Sequence, residues 1–144
     1  MLTLSIRNAI AEDEENTVSL WRACGLAASH NDLTQHFRFA RAKPNSDILV
    51  GVSLEGQIVG SVMAGHDGHR GWLYYVAAAP DRRLQGIGKQ MVAAGEEWLR
   101  DRRVVKVMLL VRDTNRQAVD FYNRIGFETI SRVVMQKWMG EPDA

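Results

Sequence analysis

One stretch limits what this chain can fold into more than any other. Residues 72–103 read WLYYVAAAP, then DRRLQGIGKQ, then MVAAGEEWLRDRR. The first piece is apolar and aromatic, favours an extended strand, and stops at Pro80. The third repeats Ile87, Met91, Ala94 and Trp98 at helical spacing. Gly86 and Gly88 fall where that helix begins. The first-turn N–H groups of a helix have no partner inside it, and the helix dipole favours negative charge there. A strand passing through a glycine turn into a helix is therefore an anion site, and a phosphate-bearing ligand is expected.

Two familiar phosphate loops do not fit. A P-loop needs Ser or Thr after Gly-Lys, and Gly88-Lys89 is followed by Gln90. The dinucleotide fingerprint needs a third glycine where this chain has Met91. What remains is Arg83-Leu84-Gln85-Gly86-Ile87-Gly88, an R-x-x-G-x-G pattern after a strand and a proline. It resembles the pyrophosphate-binding signature of the GNAT superfamily, the acetyl-CoA-dependent N-acetyltransferases. The resemblance implies that the backbone amides of residues 84–89 wrap the pyrophosphate of coenzyme A. Arg82, Arg83 and Lys89 are then candidate side-chain partners for its phosphates, and a solvated surface around the turn also explains them. Many members have glycine where this chain has Leu84.

At 144 residues, one domain spanning 1–144 with a substantial core is expected. A formal net charge of +1 argues against broad nucleic-acid binding, which calls for a basic face. The single cysteine, Cys24, excludes an internal disulfide and a cysteine-built metal site. No signal peptide is read at the N-terminus, and no apolar run reaches the length of a membrane span. A cytoplasmic protein is the expectation.

Taken in order, the pattern predicts a strand over 3–8 and helices over 12–24 and 32–42, with Asp32 as a cap for the second. Strands follow at 47–54 and 57–66, joined by Glu55-Gly56, then a turn at Asp67-Gly68 and a strand at 71–79. The long helix covers 85–102. Residues 104–111 are apolar but for Lys106, which suggests a parallel strand covered on both faces. A helix over 115–125 stops at Gly126, and two strands close the chain at 127–131 and 133–138. This β-α-α-β-β-β-α-β-α-β-β order is similar to the GNAT fold, an α/β mixed sheet with helices on both faces. In that fold the two central parallel strands splay, and coenzyme A enters between them.

A second motif strengthens the resemblance. Asn115 to Phe127 reads N-x2-A-x3-Y-x3-G-F, with Asn115, Ala118 and Tyr122 on one helix face. The resemblance implies that Asn115 binds the pantetheine region and that Tyr122 faces the sulfur. Read as residues alone, Asn115 is a helix cap and Tyr122 a core aromatic. The expected activity is direct attack of a primary amine on the thioester of acetyl-CoA, with Tyr122 as general acid to the leaving thiolate. Backbone N–H groups near Val76 and Ala78 would stabilise the carbonyl oxygen if their strand carries the family's bulge. Several peptide-amine acetylating relatives carry a glutamate base where alignment on Asn115 puts Leu110. His66, Asp67 and His69 are the local candidates for a base, and a polar turn between strands equally explains them. That stretch, with Tyr74-Tyr75 and Asn31-Asp32, resembles the YpeA-type bacterial acetyltransferases. The acceptor class is a small-molecule or peptide amine, and homodimers are frequent in the superfamily. The alternatives are a non-catalytic acyl-CoA sensor on the same fold, and an interaction module whose glycine turn serves packing.

Overall fold

The computed structural model describes residues 3–26 and 32–140. Most of the expected loop at 26–31, Asn31 included, lies outside the described residues. The chain forms two compact units that divide between Leu109 and Leu110.

The first unit is built on a five-stranded sheet in sequence order. Its strands are β1 (Ser5–Asn8), β2 (Ser46–Val52), β3 (Ile58–His66), β4 (Gly71–Ala78) and β5 (Val107–Met108). Helices α1 (Glu14–Ala23) and α2 (Leu33–Ala40) lie between β1 and β2, and α3 (Ile87–Arg100) between β4 and β5. The first four strands pair antiparallel, and β4 pairs β5 in parallel. Short 3-10 turns at Ala11–Asp13 and Pro80–Arg82 precede α1 and α3. The Asp13 carboxylate fixes the first turn, taking Arg7 at 2.6 and 3.1 Å and the Ile10 amide at 2.8 Å.

Successive residues of a strand face opposite sides of a sheet. A Cβ on Gly60 would lie 2.7 Å from Ile87 Cγ2 and 3.0 Å from Met91 Cγ, so that face carries α3. Ser61, next along β3, meets Trp21 of α1 on the other face. Both faces of β2 and β3 are thus covered. Ile48, Val50, Val62 and Ala64 are wholly buried, and so are the large side chains of Trp21, Phe37 and Met91. Burial on both faces belongs here to antiparallel strands, because the helices and not the strand direction provide the cover.

The strand expected over 104–111 contracts to Val107–Met108, both half-buried. Its ladder with β4 has two rungs, Gly71 with Val107 and Trp72 with Met108. Beyond them β4 runs on to Ala78 without β5. The parallel ladder therefore ends early.

The second unit contains α4 (Arg116–Arg124). The Asn115 side chain caps it, accepting from the Ala118 amide at 3.1 Å. Gly126 ends it at φ 104°, and the Phe127 amide returns to Tyr122 O at 2.9 Å. The strands expected at 127–131 and 133–138 are not formed: no residue from 127 to 138 is paired in a ladder among the described residues. The apolar runs there carry strand propensity, but propensity acts through packing against a paired neighbour, and these segments have none in the sheet.

Candidate active site

The site begins with an irregularity in β4. Between Ser61 and Met63 the pairing passes from Ala77 to Tyr74, so β4 spends one residue more than β3. This is a β-bulge, and it sits at Tyr75, whose φ is +51°. A non-glycine residue there is strained and persists only when its surroundings fix it. Those surroundings are plain. The Tyr75 ring stacks on Trp21 with centroids 4.1 Å apart and planes within 18°. Trp21 Nε1–H donates to Ser61 Oγ at 2.9 Å, and Ser61 Oγ–H donates to Tyr75 O at 2.8 Å. Trp21 and Ser61 are completely buried. A polar network satisfied at every step rigidifies the backbone it holds.

The bulge changes which way side chains face. Tyr74 pairs with Met63 and would ordinarily be followed by a residue on the opposite face. The extra residue instead puts Tyr74 and Tyr75 on the same side, facing α1 and α2. Together with Leu26, His36 and Met63 they line an open cleft of about 410 Å³. The Tyr75 hydroxyl lies 2.8 Å from His36 Nδ1. Burial, and next the nearby Asp67 carboxylate, push the Tyr74 phenol above its ordinary pKa.

The bulge also aims amides. Ala79 N–H donates to Val59 O at 2.8 Å, so it points toward β3. By alternation the amides of Ala78 and Val76 point toward the opposite edge, where the two-rung ladder has already ended. Ala78 O accepts from the Cys24 thiol at 3.2 Å, and burial raises that thiol's pKa.

The glycine turn follows. Leu84 and Gly86 are both left-handed, at φ +64° and +78°. Gly86 is the N-cap of α3 and offers no side chain to its first turn. The first helical hydrogen bond runs from Gln90 N to Gly86 O. The amides of Ile87, Gly88 and Lys89 precede it, and no side chain among the described residues caps them. Arg83, Leu84 and Lys89 are exposed at this mouth. Arg82 is turned away from it, donating to Gln57 Oε1 at 3.1 Å with Glu55 at 3.4 Å. The Gln85 side-chain oxygen is buried with no partner among the described residues.

His66 and His69 occupy the β3–β4 turn, where the Asp67 carboxylate accepts from the amides of His69 and Arg70 at 2.8 and 2.7 Å. The His66 ring lies 6.5 Å from Trp98. From Gly71 to the bulge is four residues of strand, about 13 Å at strand rise. The turn histidines are therefore grouped with each other and not with the bulge. His36 is the functional candidate that sequence reading missed. Its signal was its place on α2, where it shares a face with the buried Leu33 and Ala40.

In the second unit, Tyr122 packs edge-on against Phe121 and Phe127, at 4.9 and 5.5 Å. Burial raises the pKa of its phenol.

Comparison with known proteins bears on this arrangement. Residues 8–127 match the acetyltransferase (GNAT) family. A protein named acetyltransferase from Pectobacterium atrosepticum is 32% identical over 134 residues, covering 93% of this chain and 94% of that one. Among solved structures, an aminoglycoside 6'-N-acetyltransferase from Acinetobacter baumannii superposes with TM-score 0.79 at 18% identity, covering 96% of this chain and 100% of that one. Another aminoglycoside N-acetyltransferase, solved in complex with CoA, gives TM-score 0.82 at 16% identity, covering 97% of each chain. No helix among the described residues is long and apolar enough to cross a membrane.

Proposed function

The chain belongs to the acetyltransferase (GNAT) family, and from that premise we propose that it moves an acetyl group to a primary amine by direct attack within one domain over residues 1–144. It is an acetyltransferase, and acetyl-CoA is its co-substrate. The observation that carries the reading is the uncapped mouth of α3 beside a bulged β4 whose parallel ladder ends after two rungs.

The residues fit the co-substrate. Amides of residues 84–89 would hold the pyrophosphate, with Arg83 and Lys89 at hand and Arg82 held elsewhere. The edge of β4 beyond its two-rung ladder, where the amides of Val76 and Ala78 point, suits an amide-bearing arm. The orphaned Gln85 oxygen is an acceptor for an N–H in the same turn. Acetyl-CoA supplies the activated acyl group. Val76 and Ala78 would offer N–H groups to the carbonyl oxygen as it gains charge. Asn115 already caps α4 through Oδ1, and its side-chain amide would bind the pantetheine region. Tyr122 would protonate the departing sulfur. Its phenol, raised above an ordinary value of 10.0, stays protonated at neutral pH and so can donate. The thiol it serves has a reference pKa of about 8.5, so the transfer is somewhat uphill and depends on placement. The acceptor is a small-molecule or peptide amine, with the cleft over the bulge as its seat. His66 and His69 are proposed here only as bases reached through intervening water.

The test is thiol release from acetyl-CoA with a panel of primary amines, alongside calorimetry for acetyl-CoA binding. In Tyr122→Phe, kcat should fall at least about a hundredfold with acetyl-CoA affinity unchanged. Undiminished turnover removes Tyr122 from the role. Binding without turnover on any amine would identify a sensor instead.

A further inference from the structure

We propose that the acceptor is a primary amine carried on an aromatic body without a carboxylate, and that Trp72 and Tyr74 form the wall that selects it. The proposal deepens the acetyl-transfer reading above, on which it rests, by naming the class of amine.

The sheet builds the wall. Gly71 lies against Leu99 and Leu73 against Gly95, both partners being in α3. Alternation therefore puts Trp72 and Tyr74 on the opposite face of β4, the face that carries the cleft. Their rings are parallel within 13°, with centroids 6.3 Å apart. Tyr74 is 43% exposed and Trp72 is half-buried. Met63, the ladder partner of Tyr74, adds a half-buried thioether to the same cleft. Open aromatic surface continuous with a cleft marks a place for a ligand that gains by covering it. An aromatic body gains through the area it buries and through ring-on-ring geometry.

Position sets the order along the acceptor. Tyr74 directly precedes the bulge residue, and Trp72 is three residues from it, about 10 Å of strand. With the nitrogen at the bulge, where Val76 and Ala78 would hold the acetyl carbonyl, the body lies first on Tyr74 and then toward Trp72.

Charge sorts the aromatic amines further. Asp67 stands in the β3–β4 turn, its Oδ1 fixed by the amides of His69 and Arg70 at 2.8 and 2.7 Å. Its field reaches the wall, because it helps to raise the Tyr74 phenol. Arg70 of that turn points its guanidinium at His69. A carboxylate on the acceptor would meet a like charge from Asp67. An arriving ammonium is drawn by Asp67 and by the ring faces.

The experiment compares kcat/KM for 2-phenylethylamine, phenylalanine, butylamine and spermidine at saturating acetyl-CoA. It uses the wild type, Tyr74→Ala, Trp72→Ala and Asp67→Asn, with calorimetry against acetyl-CoA and thermal melting on each. In the wild type, 2-phenylethylamine should exceed each of the other three by at least about tenfold. Tyr74→Ala should cost 2-phenylethylamine about ten- to thirtyfold, more through KM than through kcat, and cost butylamine less than about threefold. Trp72→Ala should act in the same direction by about three- to tenfold. Acetyl-CoA affinity should be kept in both. Asp67→Asn retains the oxygen that accepts the turn amides. It should narrow the gap between 2-phenylethylamine and phenylalanine by at least about threefold. A wild type that uses spermidine, butylamine or phenylalanine as well as 2-phenylethylamine overturns the proposal. So does an equal loss for 2-phenylethylamine and butylamine in Tyr74→Ala, which would make the tyrosine merely structural. The wild-type comparison needs no variant, so it decides the matter even where a variant fails to fold. A wild type that releases no thiol with any amine overturns the transfer reading as well, whereas activity confined to other amines overturns this proposal alone.

Discussion

Tyr75 and Leu84 share an unusual backbone. Both are left-handed without being glycine, and both border the site. Their surroundings are opposite. Among the described residues Tyr75 is gripped by Trp21 under its ring, Ser61 at its carbonyl and His36 at its hydroxyl. Leu84 is fully exposed. Strain of this kind costs about 1–3 kcal/mol wherever it occurs. At Tyr75 the fold has made the strain part of a rigid assembly. At Leu84 it is tolerated because the turn needs the conformation, and any residue with that freedom would serve. The same backbone angle can thus mark a built feature or a mere concession, and only its contacts tell which.

Three substitutions test that contrast. Tyr75→Gly relieves the angle but removes the stacked ring. It should destabilise by about 2–3 kcal/mol, below the range for a wholly buried aromatic because Tyr75 is half-buried, and urea unfolding will measure it. A neutral or stabilising result would mean the network does not hold the bulge. Ser61→Ala comes next. It removes the acceptor of the buried Trp21 Nε1–H and the hydroxyl that donates to Tyr75 O, and about 1–3 kcal/mol should be lost, with a fall in kcat as the bulge loosens. Stability lost without any change in kcat would detach the network from the site. Leu84→Gly should act in the other direction, raising stability by about 1 kcal/mol, since relief of the left-handed penalty exceeds the added freedom of the unfolded chain. A lower melting temperature there would show that the leucine is doing something its exposure conceals.

Much of this was legible before any coordinates. The strand, glycine turn and long helix over residues 72–103 were readable because each carries a local signal: aromatic propensity, paired glycines, helical spacing. Asn115 as a cap and Gly126 as a stop were readable for the same reason. What could not be read is non-local. Val104 to Val111 has the composition of a buried strand, yet only Val107 and Met108 find a partner. Residues 127–138 have strand propensity and no ladder among the described residues. The bulge was anticipated from the resemblance, but nothing in Tyr74-Tyr75-Val76 distinguishes it from regular strand, because it arises from pairing with β3. His36 escaped notice because its partner is 39 residues away. His66 and His69 drew attention by standing together in sequence, which their shared turn explains.

The stack of Trp21 on Tyr75 also makes the protein its own indicator. An indole sealed from water and pressed against a phenol emits according to that contact, so whatever shifts Tyr75 or its hydroxyl partner should alter the emission of Trp21. With Trp72, Trp98 and Trp138 replaced by phenylalanine, the remaining fluorescence would report occupancy of the cleft in real time, without a label and without turnover.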